Sequence, residues 1–149
     1  MPEIAPIDFF APDAQATRDS LAALSSHLSA EVAAALPVQH HFARGLYARE
    51  LFIPKGYVVV GKIHRHSQFN VLVRGHVTIL TEHGLRDFKP GDMILSPPGV
   101  QRAAYAHEDS SWVTVHGTNE TDPEKLEAEL ICTSFEQFEA EQKLLAEGD

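Results

Sequence analysis

Two histidines one residue apart, His64 and His66, lie in the stretch Gly61-Lys62-Ile63-His64-Arg65-His66-Ser67-Gln68-Phe69-Asn70-Val71-Leu72-Val73-Arg74-Gly75. The flanking chain is rich in valine and isoleucine, which favours an extended strand. Alternate side chains of a strand share a face, so both imidazoles are expected on one side. A pair offered this way can hold one divalent metal ion. A chance pairing is the plainer alternative, because the chain has nine histidines. Gln68 would add a weak amide oxygen to the set. With the histidines inward, Lys62, Val58 and Val60 share their face. Glu50, on the strand before, either reaches the same interior or stays at the surface paired with Arg49 or Lys62.

Arg102, Tyr105, His107 and His116 are the downstream candidates. A guanidinium is always cationic and only donates, so Arg102 cannot ligate a metal. It can clamp a carboxylate or phosphate in a bidentate fork, or pair with Glu108 or Asp109. Tyr105 and His107 are candidates for moving protons at the mouth of a pocket. Strict alternation from Arg102 puts His107 on the opposite face unless a bulge intervenes. Trp112, Thr114 and His116 share a face against Val113 and Val115, and either face could be the inner one. His116 is then either a metal ligand or a core histidine bonded to a neighbour. The remaining histidines carry less. His76 and His83 fall in or near turns, His27 lies off an apolar stripe, and the adjacent His40 and His41 in a linker would point apart.

Behind these residues stand the elements that must position them. From Gly45 onward, Leu46–Ile53, Tyr57–His66, Phe69–Arg74, Val77–Glu82, Leu85–Phe88, Asp92–Leu95, Gln101–Ala106 and Trp112–His116 read as short strands. Pro54-Lys55-Gly56, Gly75, Glu82-His83-Gly84, Pro90-Gly91, Pro97-Pro98-Gly99 and Glu108-Asp109-Ser110 separate them. That rhythm predicts a sandwich or closed barrel, whose mouth is the usual ligand site. Beyond Gly117 the pattern turns helical. Asp122 caps Glu124–Ile131 with Pro123 at the first position, and Ser134 with Gln137 resembles a capping box opening Phe135–Ala146. Ahead of the strands, residues 1–12 form an apolar arm with three prolines. Asp13 could start a helix to about Leu36, with Leu21, Leu24, Leu28, Val32 and Leu36 as one stripe.

The stretch from Gly61 resembles the first motif of the cupin family: a glycine, His-x-His, an acidic residue and a closing glycine after an apolar strand. Counted back from Gly75, the acidic position falls on Gln68, and the gap from His66 is about two residues short. Gly91-Asp92…Pro98-Gly99-Val100-Gln101-Arg102 resembles the second motif. There the family's third histidine falls on Arg102 and its asparagine on Ala106. The resemblance implies an all-β, cupin-type double-stranded β-helix (jelly-roll) barrel with an N-terminal helix and short C-terminal helices. Its parts would be an arm and helix at 1–43, a barrel at 44–118 and helices at 119–149. The region from Ile63 to about Leu130 is also similar to small single-domain cupins among bacterial and phage hypothetical proteins. A homodimer is implied as well, which the apolar arm and helix also suggest. The implied cofactor is a divalent transition metal (Zn, Fe, Mn or Ni) on His64, His66, Gln68 and His116. Members include dioxygenases, isomerases, epimerases and lyases, so no single reaction follows.

Composition bounds the rest. The chain has 149 residues, 44% of them apolar, and a formal charge of −9. That size suits one core. The charge argues against nucleic-acid or anionic-membrane partners, though a local basic pocket can exist inside an acidic protein. Cys132 stands alone, so no internal disulfide forms, and with no signal-like start a cytoplasmic location is expected. Two function classes remain open. One is a metal-dependent protein acting on a small anionic metabolite, with Arg102 holding the anion and Tyr105 or His107 moving protons. The other is a metal-free small-molecule-binding or structural module.

Overall fold

The computed structural model describes residues 36–81 and 84–147. The arm, the helix expected from Asp13, His27 and His83 lie outside the described residues. Eleven strands and two helices follow one another: β1 (Val38–Ala43), β2 (Leu46–Ile53), β3 (Val58–Val60), β4 (Ile63–His64), β5 (Gln68–Arg74), β6 (Val77–Thr81), β7 (Gly84–Phe88), β8 (Met93–Ser96), β9 (Ala103–Ala106), β10 (Ser110–Gly117), α1 (Pro123–Leu130), β11 (Ile131–Cys132) and α2 (Phe135–Glu147). All pairings are antiparallel. One sheet has the order β1-β2-β10-β5-β8 and faces a second of order β3-β9-β6-β7, with β4 and β11 as a short third ladder. This is the expected jelly-roll barrel with helices at its C-terminal end. None of the described helices is long and apolar enough to cross a membrane.

The apolar core fills one half of the barrel. Leu51, Ile53, Leu72, Val77, Ile79, Phe88 and Ala106 are buried there, with Val59, Ile94, Ala104 and Trp112 packed against them. Each belongs to the alternate set of its strand that points inward. A smaller cluster of Tyr47, Leu126 and Leu130 joins α1 to the other half.

Two expected segments differ. The run Tyr57–His66 is two strands, because Gly61 N–H donates to the Arg102 carbonyl at 2.8 Å and the chain then leaves β9 for β11. The break shifts the alternation. Val59 packs on the central core cluster, Val60 is buried outside that cluster, and Lys62 turns out to pair with Glu127 of α1. His40 and His41, expected in a linker, belong to β1 and pair with Arg49 and Ala48 of β2. The helix signals hold. Asp122 accepts from Glu124 N–H at 3.0 Å. Ser134 Oγ accepts from Gln137 N–H at 3.1 Å, while Gln137 Oε1 reaches back to Thr133 N–H rather than Ser134.

Gly75 turns the chain between β5 and β6 with φ of +94°. A Cβ there would meet Ser110 Oγ at 2.2 Å and the Asp109 carbonyl at 2.5 Å. At Gly56, φ is +87° but nothing lies within 4 Å. The left-handed conformation alone costs about 1–2 kcal/mol for a residue with a Cβ. Gly56→Ala should therefore lose about that much in urea denaturation. Gly75→Ala should lose roughly 3 kcal/mol or more, because backbone must also move. Equal losses would mean that the Ser110 contact is soft.

Candidate ligand site in the barrel interior

The other half of the barrel is polar, and strand register assembles it. β10 pairs with β2 on one side and β5 on the other, which places Arg49, Thr114 and Asn70 in one row. The next row toward the open end holds Tyr47 and His116. Phase decides what these positions see. In β2 the odd residues point inward, so Tyr47 and Arg49 follow Leu51 and Ile53 toward the interior. The same alternation turns Glu50 outward, where its carboxylate meets His41 Nε2 at 3.2 Å; it takes no part in the interior.

A hydrogen-bonded ladder crosses the interior. Thr114 Oγ1 donates to Asn70 Oδ1 at 3.0 Å, and Asn70 Nδ2 donates to Ser96 Oγ at 2.8 Å. Arg102 Nε donates to the same Ser96 oxygen at 3.1 Å. The guanidinium of Arg102 thus shares the interior with Arg49. Above the ladder, the rings of His64 and His116 stack with centroids 5.1 Å apart. His116 stacks in turn on Tyr47 at 5.8 Å, and Tyr47 Oη lies 2.7 Å from His40 Nδ1.

His66 does not follow His64 inward. Only Ile63 and His64 are in strand conformation, and the chain bends at Arg65–His66, leaving His66 exposed. The residue between the histidines fixes this bend. Arg65 donates to the carbonyls of Ala128 and Glu129 at the end of α1, at 2.7 and 2.8 Å. It also holds both carboxylate oxygens of Glu141 in α2, at 2.8 and 3.0 Å. Backbone N–H of Arg65 donates to the Leu130 carbonyl. His66 remains near enough for its charge to act on His116.

Both buried imidazoles are held neutral. Burial pushes His64 down to about 3, and the charges of His116, Arg49 and Lys62 push the same way. Burial, then Arg49 and His66, lower His116 to about 4. Among the described residues, the side chains whose charges act on the two rings are all basic. Among the described residues no carboxylate is hydrogen-bonded to His64, Gln68, His116 or Arg49.

Gln68 Nε2 lies 3.1 Å from His64 Nδ1, while Gln68 Oε1 is buried without a partner. Turning the amide over is isosteric. The amide nitrogen then takes the buried place without a partner, and His64 Nδ1–H donates to Oε1. That is the arrangement a metal-ligating histidine makes with its supporting group. Two neutral imidazoles with this support fit a transition metal ion, and the nearby guanidiniums would draw an anion beside it.

Tyr105 and His107 lie elsewhere. Their strand β9 turns Ala104 and Ala106 to the core, so Tyr105 and His107 face the outer side of the four-stranded sheet. Their rings meet edge to face at 4.9 Å. The structure thus brings together His64, Gln68, His116 and Arg102, and sets Tyr105, His107 and Glu50 apart from them. Arg49, Tyr47 and Asn70 join the group without having been singled out by motif. Their signal was the period-two run Tyr47-x-Arg49-x-Leu51-x-Ile53, in which the apolar end fixes where the polar end points.

A histidine that stays neutral when folded makes stability depend on pH. The unfolded chain takes up protons near pH 6.5, the ordinary imidazole value, whereas the folded chain resists until about 4 at His116 and about 3 at His64. Stability from these rings is complete above about pH 6.5 and is lost as pH falls toward 4 and then 3. Urea midpoints measured from pH 7.5 to 4 should decline over that window. His64→Gln/His116→Gln should flatten the decline; an unchanged slope would mean that the rings are hydrated.

The fold has known counterparts. KdgF from a Halomonas species is similar over 57% of this chain and 82% of its own, at 23% identity and a TM-score of 0.50. An RmlC-like cupin from Shewanella frigidimarina matches 57% of this chain and 78% of its own, at 25% identity and a TM-score of 0.49. A cupin superfamily protein from Desulfitobacterium hafniense matches 56% and 78%, at 10% identity and a TM-score of 0.48. No family model matches the chain, and no curated protein does. The likeness to KdgF speaks for the fold alone, and it agrees with the strand order and the paired sheets: the chain has a cupin-like fold.

Proposed function

We propose that the polar half of the barrel binds a small anionic molecule. The observation that carries this reading is that Arg49, one row from His116, and Arg102, bonded to Ser96, bring two guanidiniums into the interior that holds the neutral rings. Two cations at about 4 Å repel by about 4 kcal/mol at an effective dielectric near 20, so an anion placed among them gains comparably. Arg49 supplies the charge beside the rings, and Arg102, steadied by Ser96, supplies a second guanidinium. A carboxylate or phosphate fits such donors. The neutral imidazoles each keep one N–H and one lone pair, so they can both donate to the anion and discriminate its protonation state.

A second reading adds a divalent transition metal (Zn, Fe, Mn or Ni) on His64 and His116, with Gln68 behind His64 or as an oxygen donor and His66 swinging in from the bend. The contact of Gln68 with His64 Nδ1 favours it, because a supporting group behind one ring nitrogen turns the other toward an ion. When bound, such an ion would polarise an oxygen of the ligand. The cations Arg49 and Arg102 weaken the ion's hold unless the anion is also present, so metal and anion should bind cooperatively. Tyr105 and His107 face away from this site and do not exchange protons with its ligand directly.

The same reading takes the chain as a cytoplasmic homodimer. The outer surface of β5 and β8 supports a self-contact, because Phe69, Val73, Met93 and Leu95 are all exposed there. Sedimentation equilibrium at micromolar concentration should give twice the 16.4 kDa chain mass. A monomer would remove the dimer without touching the site.

The deciding experiment is calorimetric titration of metal-free protein with mono- and dicarboxylates and phosphate, with and without zinc. At least one anion should bind below millimolar. Arg49→Gln should weaken it about 10- to 100-fold, the loss expected for one charge-assisted hydrogen bond. Binding that needs zinc and vanishes in His64→Ala/His116→Ala favours the metal reading. No anion binding under either condition would overturn the proposal.

A further inference from the structure

The outer face of the four-stranded sheet carries a second group of donors, on the opposite side from the barrel interior. β6 and β9 pair Val77 with Ala106, so His76 and His107 come next to each other just beyond that pair. His107 N–H donates to the His76 carbonyl at 2.9 Å. The two rings stack at 4.2 Å with their planes 23° apart. Asp87 arrives from β7, directly across from Thr78. One ligand atom from each of His76, Asp87 and His107 lies within 4.8 Å of the other two, and no other such trio occurs among the described residues.

Three features separate this trio from an ordinary surface cluster. His76 Nε2 is buried and has no hydrogen-bond partner, although Asp87 Oδ2 is 3.8 Å away. That gap is too long for a hydrogen bond, and a buried orphan nitrogen is unfavourable unless something fills the space beside it. Thr78, itself buried, donates its hydroxyl to Asp87 Oδ1 at 2.5 Å and accepts from His107 Nε2 at 2.6 Å. One hydroxyl therefore orients two of the three donors, the role that supporting groups play behind metal ligands. Finally, the Asp87 side chain is mostly exposed, so its Oδ2 can turn toward His76 Nε2.

Distance allows an ion to enter. With bonds of about 2.0–2.1 Å, two donors in a tetrahedral zinc site lie roughly 3.3 Å apart. The 3.8 Å gap between His76 and Asp87 has to close by about half an ångström, and the widest gap in the trio, at most 4.8 Å, by up to about 1.5 Å. Asp87 is mostly exposed and can make that movement.

We propose that His76, Asp87 and His107 form an outer site for a divalent transition metal ion, independent of whatever the barrel interior binds. Two imidazoles and one carboxylate are the donor set of a zinc-type ion, with a fourth position left to water or to a group from a partner. A hard cation such as magnesium or calcium is disfavoured, because it takes oxygen donors.

The test uses the full chain, free of any histidine tag, in the His64→Ala/His116→Ala background, so that zinc bound in the interior does not count. Equilibrium dialysis should find one zinc per chain, with a dissociation constant of about 10 µM or tighter. Asp87→Asn, at an exposed position that need not disturb folding, should weaken it at least about tenfold. His76→Ala/His107→Ala should abolish it. Should the background variant fail to give a β-sheet circular-dichroism spectrum, the same two comparisons are made in the wild-type chain, where His76→Ala/His107→Ala should remove one zinc from the total and Asp87→Asn should weaken one zinc at least about tenfold. The proposal is overturned if folded protein binds no zinc below about 100 µM, or if Asp87→Asn and His76→Ala/His107→Ala bind as the parent does.

Discussion

The register of β10 between β2 and β5 is the constraint from which the rest follows. One alignment puts Leu51, Trp112 and Leu72 in an apolar row and, two residues along each strand, Arg49, Thr114 and Asn70 in a polar one. A slip of one residue would turn both rows inside out. Exposing Leu51, Ile53 and Leu72 would cost about 1.5–3 kcal/mol each, a sum comparable to the whole stability of a small domain. The apolar half therefore fixes where the polar half sits. The site residues have little to do with folding the barrel, and the barrel leaves them little freedom.

Much of this was legible from the sequence, for identifiable reasons. Gly/Pro turns and β-branched runs mark strands because they act locally, and the caps at Asp122 and Ser134 did the same for the helices. Facing was legible only where an apolar residue set the phase. His116 shared a face with Trp112 and Thr114, but whether that face was inner depended on partners far away in sequence. Lys62, Val58 and Val60 were expected beside His64, since nothing local reveals that Gly61 hands the chain from one sheet to another. His40 and His41 lack the apolar alternation of a strand because β1 is an edge strand with most of its residues exposed. Arg49 escaped notice since a single arginine beside a glutamate reads as a surface pair.

The interior is also unusual in its electrostatics. Burial alone would leave two neutral imidazoles indifferent to the sign of a ligand's charge. Arg49 removes that indifference. Its charge acts on both rings, and the described neighbourhood offers no carboxylate to cancel it. The protein as a whole is acidic, at −9. An anion must thus approach against the overall field and gain only at short range, which favours small ligands that penetrate over large ones that dock on the surface.

Arg65 ties this interior to α2, a helix with no buried residue. Its Leu144 and Leu145 are exposed. The helix is anchored largely by polar contacts, of which the fork between Arg65 and Glu141 is the most extensive. Elements with few apolar contacts open first and most often. The bend that carries His66 is clamped twice, by Glu141 of α2 and by the α1 carbonyls of Ala128, Glu129 and Leu130. Opening of α2 alone thus leaves that bend moored to α1.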